Sequence, residues 1–293
     1  MSGAGGPASR GGHREADRPE GRPAGVSVIT ATLDRPEVLL RKAAALAAQT
    51  LERDRWEWIV AFDGPQPGLE RDLRASVPDD LRLRTVTTDR VGPGPARDAA
   101  ARHAAFPVLL FSDDDCLPAR DALARHLEAQ ADPGVYLGTV AFRDADHVQT
   151  APPPRRPRWW NVNGANTSLP TASYRSVGGF GDAIRGYGGE DVWLGWRLEH
   201  AGVAIRALPD ARAEHLGPDP MRTAPAERAR SAGANAVRLA RLEPRMRWRL
   251  GVDPLLLVLK LTLLTPIRPL GAGRVAGEWA YSLGAWREWR RAR

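Results

Sequence analysis

Cysteine and lysine are almost absent from this chain of 293 residues. Cys116 is the single cysteine, which excludes a disulfide framework and any zinc or iron–sulfur site built from several thiolates. We therefore expect the protein in a reducing compartment, the cytoplasm. A metal site built from oxygen or nitrogen ligands remains possible. Lysine occurs only at Lys42 and Lys260, so arginine supplies 40 of the 42 basic residues.

A long apolar segment is also missing. Residues 1–25 are rich in Gly, Pro and Arg without the apolar core of a secretory signal, and we predict a disordered leader there. The most apolar run, Leu255–Leu264, would rise about 15 Å as a helix, against about 30 Å for the hydrocarbon core of a bilayer. It is too short to cross a membrane. With 43% apolar and 26% charged residues, the chain as a whole predicts a substantial folded core.

Positive charge is concentrated in the last quarter of the chain. Residues 218–293 hold 15 basic and 6 acidic side chains, a local net charge of +9, whereas residues 1–217 carry −2. Arg-rich helices are predicted there, the clearest with Asp253 as N-cap and Pro254 at its first position. Two interpretations stay open: this basic helical extension packs on the preceding domain, or it lies on the inner face of the cell membrane. No nucleic-acid partner is expected, because no binding fold accompanies the charge.

Short β-like runs alternate with helix-like segments from Val26 onward. This rhythm predicts an α/β fold with a mostly parallel central sheet flanked by helices, over residues 26–217. The most apolar predicted strands are VSVITA, WEWIVAF and VLLFS. In open α/β sheets, ligands bind outside the carboxyl ends of the strands, so polar residues that follow these runs are candidates for a site. Asp63 follows the second run, and Asp113–Asp115 follow the third.

Three adjacent carboxylates, Asp113, Asp114 and Asp115, repel one another at pH 7 unless a cation lies among them. Their oxygens suit Mg²⁺ or Mn²⁺, ions that commonly also bind phosphates. At an extended strand end, Asp113 and Asp115 would face one site while Asp114 points away. The alternative is an Asp-rich turn that caps the helix after Pro118.

Four further residues combine a suitable side chain with a suitable place. Glu190 and Asp191 follow a Gly-rich segment and begin a predicted helix. They either cap that helix or supply a base that accepts a proton from a hydroxyl. His215 ends a β-like segment and is either structural or a metal ligand. Arg97 lies early in a helix after Gly-Pro-Gly-Pro, a place where guanidinium and N–H groups contact phosphate. The chain has neither a P-loop nor a complete dinucleotide fingerprint, which disfavours P-loop NTPase chemistry and hydride transfer.

The ordered set of these motifs resembles one known family. Along the chain they read VSVITATLDRPE, WIVAFDGP, VGPGPARDAA, VLLFSDDDCLP, NGANTSLP, VGGFGDAIRGYGGEDVWLGWRLEHAG and AEHLGP. Together they resemble the family 2 glycosyltransferases, which have a GT-A fold, over about residues 26–217. The resemblance implies a nucleotide-diphospho-sugar donor, Mn²⁺ or Mg²⁺ as cofactor, and inverting transfer of the sugar to an acceptor hydroxyl.

The same resemblance assigns roles to individual residues. The donor would be contacted by Thr32, Asp34, Arg35, Asp63, Arg97 and Asp114; the metal would be held by Asp113, Asp115 and His215; the general base would be Asp191, with Glu190 beside it. The acceptor is not readable from the sequence, and a lipid-linked or envelope glycan and a small molecule are both compatible.

Two other functions remain open. A sugar-1-phosphate nucleotidyltransferase also needs a metal and an α/β sheet, but Thr30–Arg35 lacks the Gly-rich phosphate loop expected after the first strand. The other is a non-catalytic protein whose basic helices bind a membrane or a polyanion.

Overall fold

A computed structural model gives the fold and describes residues 25–144, 147–184, 186–217, 226–267 and 274–291. The predicted disordered leader lies outside these ranges, except for Gly25. The boundary predicted after residue 217 adjoins residues 218–225, which also lie outside them.

The first half of the central sheet is parallel, as the sequence predicts. Its strands are β1 (Val26–Thr32), β2 (Trp56–Asp63), β3 (Leu83–Thr88) and β4 (Val108–Phe111), in the spatial order β3-β2-β1-β4. The connecting helices are α1 (Pro36–Ala47), α2 (Pro67–Ser76) and α3 (Pro93–Ala101). Each of these helices has a proline in its first turn, where the fixed φ of proline suits a helix.

The second half of the sheet is mixed. Its strands are β5 (Cys116–Pro118), β6 (Val135–Asp144), β7 (His147–Ala151), β8 (Thr167–Pro170) and β9 (Ile205–Leu216). The order continues β4-β8-β6-β9-β5, with β7 on β6; only the β6–β9 pair is parallel here. The sequence did not predict β5, β7 and β8, because these short strands carry too little periodicity and, unlike β4, contain no continuous apolar run. The helices of this half are α4 (Ala122–Ala129), α5 (Thr171–Ser176) and α6 (Glu190–His200).

The central strands are buried on both faces, as their continuous apolar sequence indicates. Every residue of β2 is buried. Trp58 and Val60 belong to one apolar cluster, and Ile59 and Ala61 to the cluster on the opposite face. Burial of a large apolar side chain stabilises the fold by about 1.5–3 kcal/mol. The packed strands therefore fix the loops that leave their carboxyl ends.

The C-terminal helices are α7 (Ala226–Leu242), α8 (Met246–Arg249), α9 (Pro254–Ile267) and α10 (Arg274–Arg291). Small residues let α7 and α10 approach closely: a Cβ on Gly233 would lie 2.0 Å from the carbonyl oxygen of Tyr281. Trp286 and Trp289 pack on the apolar cluster that these helices form. The predicted N-cap of α9 is confirmed, because Asp253 Oδ1 accepts from the N–H of Leu255 at 3.0 Å.

The C-terminal helices also pack on the sheet-containing part of the chain. Leu239 of α7 and Met246 of α8 share an apolar cluster with Trp159 and Trp196. Arg249 lies over the ring of Trp160, 3.9 Å from its centroid. The packing interpretation therefore holds for α7 and α8. Across the residues that the structure describes, every helix is too short or too polar to cross a membrane.

Candidate functional site

The aspartate turn, residues 113–116, joins β4 to β5 at the carboxyl edge of the parallel strands. The N–H of Cys116 donates to the carbonyl oxygen of Asp113 at 3.0 Å and closes the turn. Because the backbone turns here rather than extends, the alternation expected of a strand end does not hold. Asp114 does not point away from Asp115: their carboxylates share one guanidinium, that of Arg35.

Arg35 links the loop after β1 to the aspartate turn. Its Nη1 donates to Asp114 Oδ1 and to Asp115 Oδ2, both at 2.8 Å, and Thr32 Oγ1 donates to Asp114 Oδ2 at 2.8 Å. Asp114 is 5% exposed, and this burial raises its pKa to about 6, although Arg35 opposes the shift. On this side of the turn, the cation expected among the aspartates is therefore a guanidinium of the chain itself.

Arg97 of α3 brings the aspartate turn and the Glu190–Asp191 pair to one place. Its Nη2 donates to Asp113 Oδ1, and its Nη1 lies 3.5 Å from Glu190 Oε1 and 3.5 Å from Asp191 Oδ1. The side chain of Arg97 is 7% exposed. Burial disfavours its charge, but the three carboxylates outweigh that effect and raise the pKa of Arg97. The predicted metal ligand Asp113 and the predicted base Asp191 thus contact the same guanidinium.

Gly164, in the loop before β8, leaves the space that the guanidinium of Arg97 occupies. A Cβ on Gly164 would lie 2.5 Å from Arg97 Nη2, so a larger residue would displace the guanidinium. The N–H of Gly164 also donates to Asp191 Oδ2 at 3.0 Å. The sequence motif NGAN contains this residue, but sequence reasoning gave it no role.

Glu190 and Asp191 begin α6 immediately after Gly189, whose φ of +100° favours glycine. Glu190 is 7% exposed, and within the described residues its Oε2 has no hydrogen-bond partner. The side chain of Asp191 is 24% exposed, and loss of water around it raises its pKa to about 7, against the effect of Arg97. Because its oxygens contact Arg97 and Gly164, helix capping does not account for Asp191. A partly exposed carboxylate with this pKa can accept a proton from a hydroxyl.

His215 of β9 lies opposite Cys116 of β5, in the antiparallel register of the two strands. Its Nε2 is 3.4 Å from Asp115 Oδ2, and one ligand atom each of Asp115, Cys116 and His215 lie within 4.8 Å of one another. A carboxylate oxygen and an imidazole nitrogen at this separation fit a divalent ion such as Mn²⁺. Asp115 and His215 thus fit the predicted metal. The carboxylate of Asp113, in the same turn, contacts Arg97 instead, and its role as a metal ligand stays a prediction.

Two predicted donor-side residues lie farther along the same edge. Asp63 ends β2, and its two carboxylate oxygens accept from the N–H groups of Val91 and Gly92 at 2.7 and 2.9 Å. Asp34 has a φ of +52°, and its carboxylate lies 3.2 Å from Arg90 Nη2. Both residues hold the loop after β3 in place, and their contact with a nucleotide stays a prediction.

Lys42 is a site-forming residue that sequence reasoning missed. It lies on α1, is fully buried, and donates to Ser112 Oγ at 2.6 Å and to the carbonyl oxygens of Asp113 and Cys116 at 2.9 and 2.8 Å. Burial lowers its pKa to about 8. Its spacing from Leu39 and Leu46 puts a charged residue on the apolar face of α1, and that anomaly is the signal that could have found it.

Helix α7 contacts the Gly-rich loop that precedes Glu190. Asn235 is 1% exposed and donates through Nδ2 to the carbonyl oxygens of Gly188 and Tyr187, at 2.8 and 3.3 Å. Ser231 Oγ donates to the carbonyl oxygen of Tyr187 at 3.0 Å. The C-terminal extension therefore helps to hold the segment that carries the predicted base.

A family model matches the part of the chain that contains the sheet edge and the aspartate turn. The model of glycosyl transferase family 2 matches residues 27–183, and the chain belongs to that family of enzymes. Two Streptomyces hygroscopicus proteins named validoxylamine A glucosyltransferase are 28% identical over 225 residues, which cover 61% of this chain. The chain spans about half the length of these relatives, 52% and 49%. Glycosyltransferase AglE of Haloferax volcanii is 27% identical over 40% of each chain.

Solved structures support the GT-A fold. A mannosyltransferase from Pyrobaculum calidifontis, in complex with GDP-Man and Mn²⁺, superposes with a TM-score of 0.64 at 20% identity, over 94% of this chain and 89% of its own. GalNAc-T7 with UDP, GalNAc and Mn²⁺ gives a TM-score of 0.60 at 14% identity, over 75% of this chain and 48% of its own. At these identities the likeness establishes the fold, a GT-A fold followed by C-terminal helices.

Proposed function

We propose that this protein transfers a sugar from a nucleotide-diphospho-sugar donor to an acceptor hydroxyl, with a divalent metal and with inversion at the anomeric carbon. Membership of glycosyl transferase family 2 supports the reaction class. The two solved relatives with bound Mn²⁺, one with GDP-Man and one with UDP, support the donor class and the metal.

One observation carries the mechanism. Arg97 contacts Asp113 through Nη2, and Glu190 and Asp191 through Nη1. The diphosphate of a donor and the hydroxyl of an acceptor would therefore both lie near this guanidinium. An inverting displacement needs this proximity, because the nucleophile and the leaving group flank one carbon atom. The contacts of Arg97 with Asp113 and with Asp191 support this proximity of the proposed metal ligand and the proposed base.

Asp191, Glu190 and Arg97 have different roles in the proposed reaction. Asp191 accepts the proton of the acceptor hydroxyl while the oxygen of that hydroxyl bonds to the anomeric carbon. The bond from the anomeric carbon to the phosphate oxygen breaks, and its electron pair leaves with the nucleoside diphosphate. Glu190 holds Arg97 through Oε1, and Arg97 then faces the charge that develops on the leaving group.

Asp113, Asp115 and His215 would hold the metal. When bound, a divalent ion supplies positive charge that stabilises a departing diphosphate. Arg35 contacts Asp115 and Arg97 contacts Asp113, so both arginines add cationic charge at the donor end of the site.

A donor panel tests the proposal. UDP-glucose, GDP-mannose and UDP-GalNAc, each with and without Mn²⁺, are scored by thermal shift and by release of nucleotide products. We expect one donor to stabilise the protein only in the presence of the metal, and nucleoside diphosphate to be released. Release of pyrophosphate from a nucleoside triphosphate and a sugar 1-phosphate, assayed in parallel, would instead identify a nucleotidyltransferase. No metal-dependent stabilisation by any donor would contradict the proposal.

Matched variants test the assignments. Asp191→Asn should bind the donor normally and lose transfer by about 10²–10⁴-fold, the range for removal of a general base. Asp115→Ala should lose both metal dependence and turnover. Asp191→Asn with near-normal transfer would overturn the base assignment.

A further inference from the structure

Helix α9 presents an apolar face to solvent. Leu255 is 81% exposed and Leu263 is 60% exposed, with Leu259 and Val258 at 54% and 47%. We call this face the α9 stripe; it consists of Leu255, Val258, Leu259, Thr262, Leu263 and Pro266. Spacings of three and four residues place its members along one side of the helix. The opposite side faces inward, with Leu257 fully buried.

The α9 stripe contains no charged residue, whereas the neighbouring C-terminal helices are rich in arginine. Lys260, the one charged residue of α9, pairs with Glu278 of α10 at 2.7 Å. Asp253, which precedes α9, is likewise paired, with Arg247 at 3.2 Å. The exposed arginines of these helices include Arg245, Arg249, Arg287, Arg290 and Arg291. The extension thus combines an uncharged aliphatic face with an arginine-rich surface.

We propose that the α9 stripe docks on the surface of an anionic lipid bilayer. Its aliphatic side chains would enter the boundary between headgroups and acyl chains, and the arginines would face lipid phosphates. Amphipathic helices that lie at the bilayer interface bury their apolar face about 5–10 Å deep. In α9 the inner side packs on the protein, so only the stripe would enter the lipid. Trp248, 64% exposed in α8 just before α9, is an aromatic side chain suited to that boundary. With 14 residues, α9 would lie along the surface rather than span it.

A second copy of the chain fits the α9 stripe less well. A stable protein interface needs about 800 Å² and about 20–30 residues from each partner, whereas the stripe supplies six residues. The cores of such interfaces are enriched in aromatic residues, Met and Arg, and the stripe contains none of these. Insertion into lipid requires apolar side chains and neighbouring cations, but no matching shape.

Vesicle co-sedimentation of the full chain tests the proposal, independently of sugar transfer. The probes are vesicles of phosphatidylcholine alone and vesicles with 30% phosphatidylglycerol. We expect binding to the anionic vesicles, weakened at least tenfold in Leu255→Glu/Leu259→Glu and weakened also by 0.5 M NaCl. Val148→Glu, at a residue 55% exposed on β7, is the matched control and should bind as the unchanged protein does. Because all three positions are exposed, thermal unfolding should be unaltered.

Three results would overturn the proposal. The first is failure of the unchanged protein to bind any vesicle, and the second is equal binding by the double variant. The third is a dimer in light scattering that Leu255→Glu/Leu259→Glu abolishes, which would make the stripe an interface between copies of the chain.

Discussion

The sheet edge and the C-terminal helices differ in how deeply their positively charged residues are buried. At the sheet edge, Arg97 and Lys42 are buried and contact carboxylates or carbonyl oxygens from several loops. In the C-terminal helices, arginines such as Arg249 and Arg287 are exposed, and so are leucines such as Leu255. A buried cation fixes the geometry of a site, because its removal leaves polar groups unpaired away from water. An exposed cation leaves a surface ready for a partner.

The largest effect on stability is expected at the most enclosed cation. Arg97→Met would leave the carboxylates of Asp113, Glu190 and Asp191 without their shared partner. We expect the free energy of unfolding to fall by about 3–5 kcal/mol, measured by urea denaturation. Arg291→Met, which removes an exposed pair with Glu288, should change it by less than about 1 kcal/mol. Equal effects at both positions would erase the contrast between the two regions.

The two lysines give a smaller but cleaner contrast. Lys42→Met removes the donor from two carbonyl oxygens and a hydroxyl beneath the aspartate turn, and should cost about 3 kcal/mol of unfolding free energy. Lys260→Met breaks a partly exposed pair with Glu278 and should cost about 1 kcal/mol or less. Thermal and urea unfolding of the two variants side by side measure the difference, and a larger loss in Lys260→Met would refute this account.

The pH dependence of transfer sharpens the assignment at the sheet edge. Because burial raises the pKa of Asp191 to about 7, its carboxyl is protonated below that pH and cannot accept a proton. The single-turnover transfer rate should therefore fall about tenfold per pH unit below pH 7 and level off above it. A rate that stays constant from pH 5 to 8 would argue against Asp191 as the base.

The smallest expected effect tests the link between the two regions. Asn235→Ala removes two hydrogen bonds to the loop before Glu190, and should cost about 1 kcal/mol of stability. As a positioning residue it should lower the single-turnover rate several-fold and leave donor affinity unchanged. Ser231→Ala, which removes a more exposed hydrogen bond to the same loop, is the control. A change in donor affinity alone would contradict the positioning role.

Local signals in the sequence predicted the parts of the fold that depend on neighbouring residues. The apolar runs gave β1, β2 and β4, and the Asp253–Pro254 pair gave the start of α9. The pairing of Cys116 with His215 depends on the register of strands far apart in the chain, which no local pattern records. The contacts of Lys42 likewise arise only when α1 packs beneath the aspartate turn.

The reach of α7 to the Gly-rich loop changes how shortened forms of this protein should be interpreted. Asn235 and Ser231 lie after residue 225, yet they hold the backbone that leads to Glu190. Trimming the chain ahead of α7 would thus release that loop together with the basic surface. Loss of activity on such trimming would have two candidate causes: loss of the proposed lipid contact and misplacement of the proposed base. Only single-residue changes separate these causes.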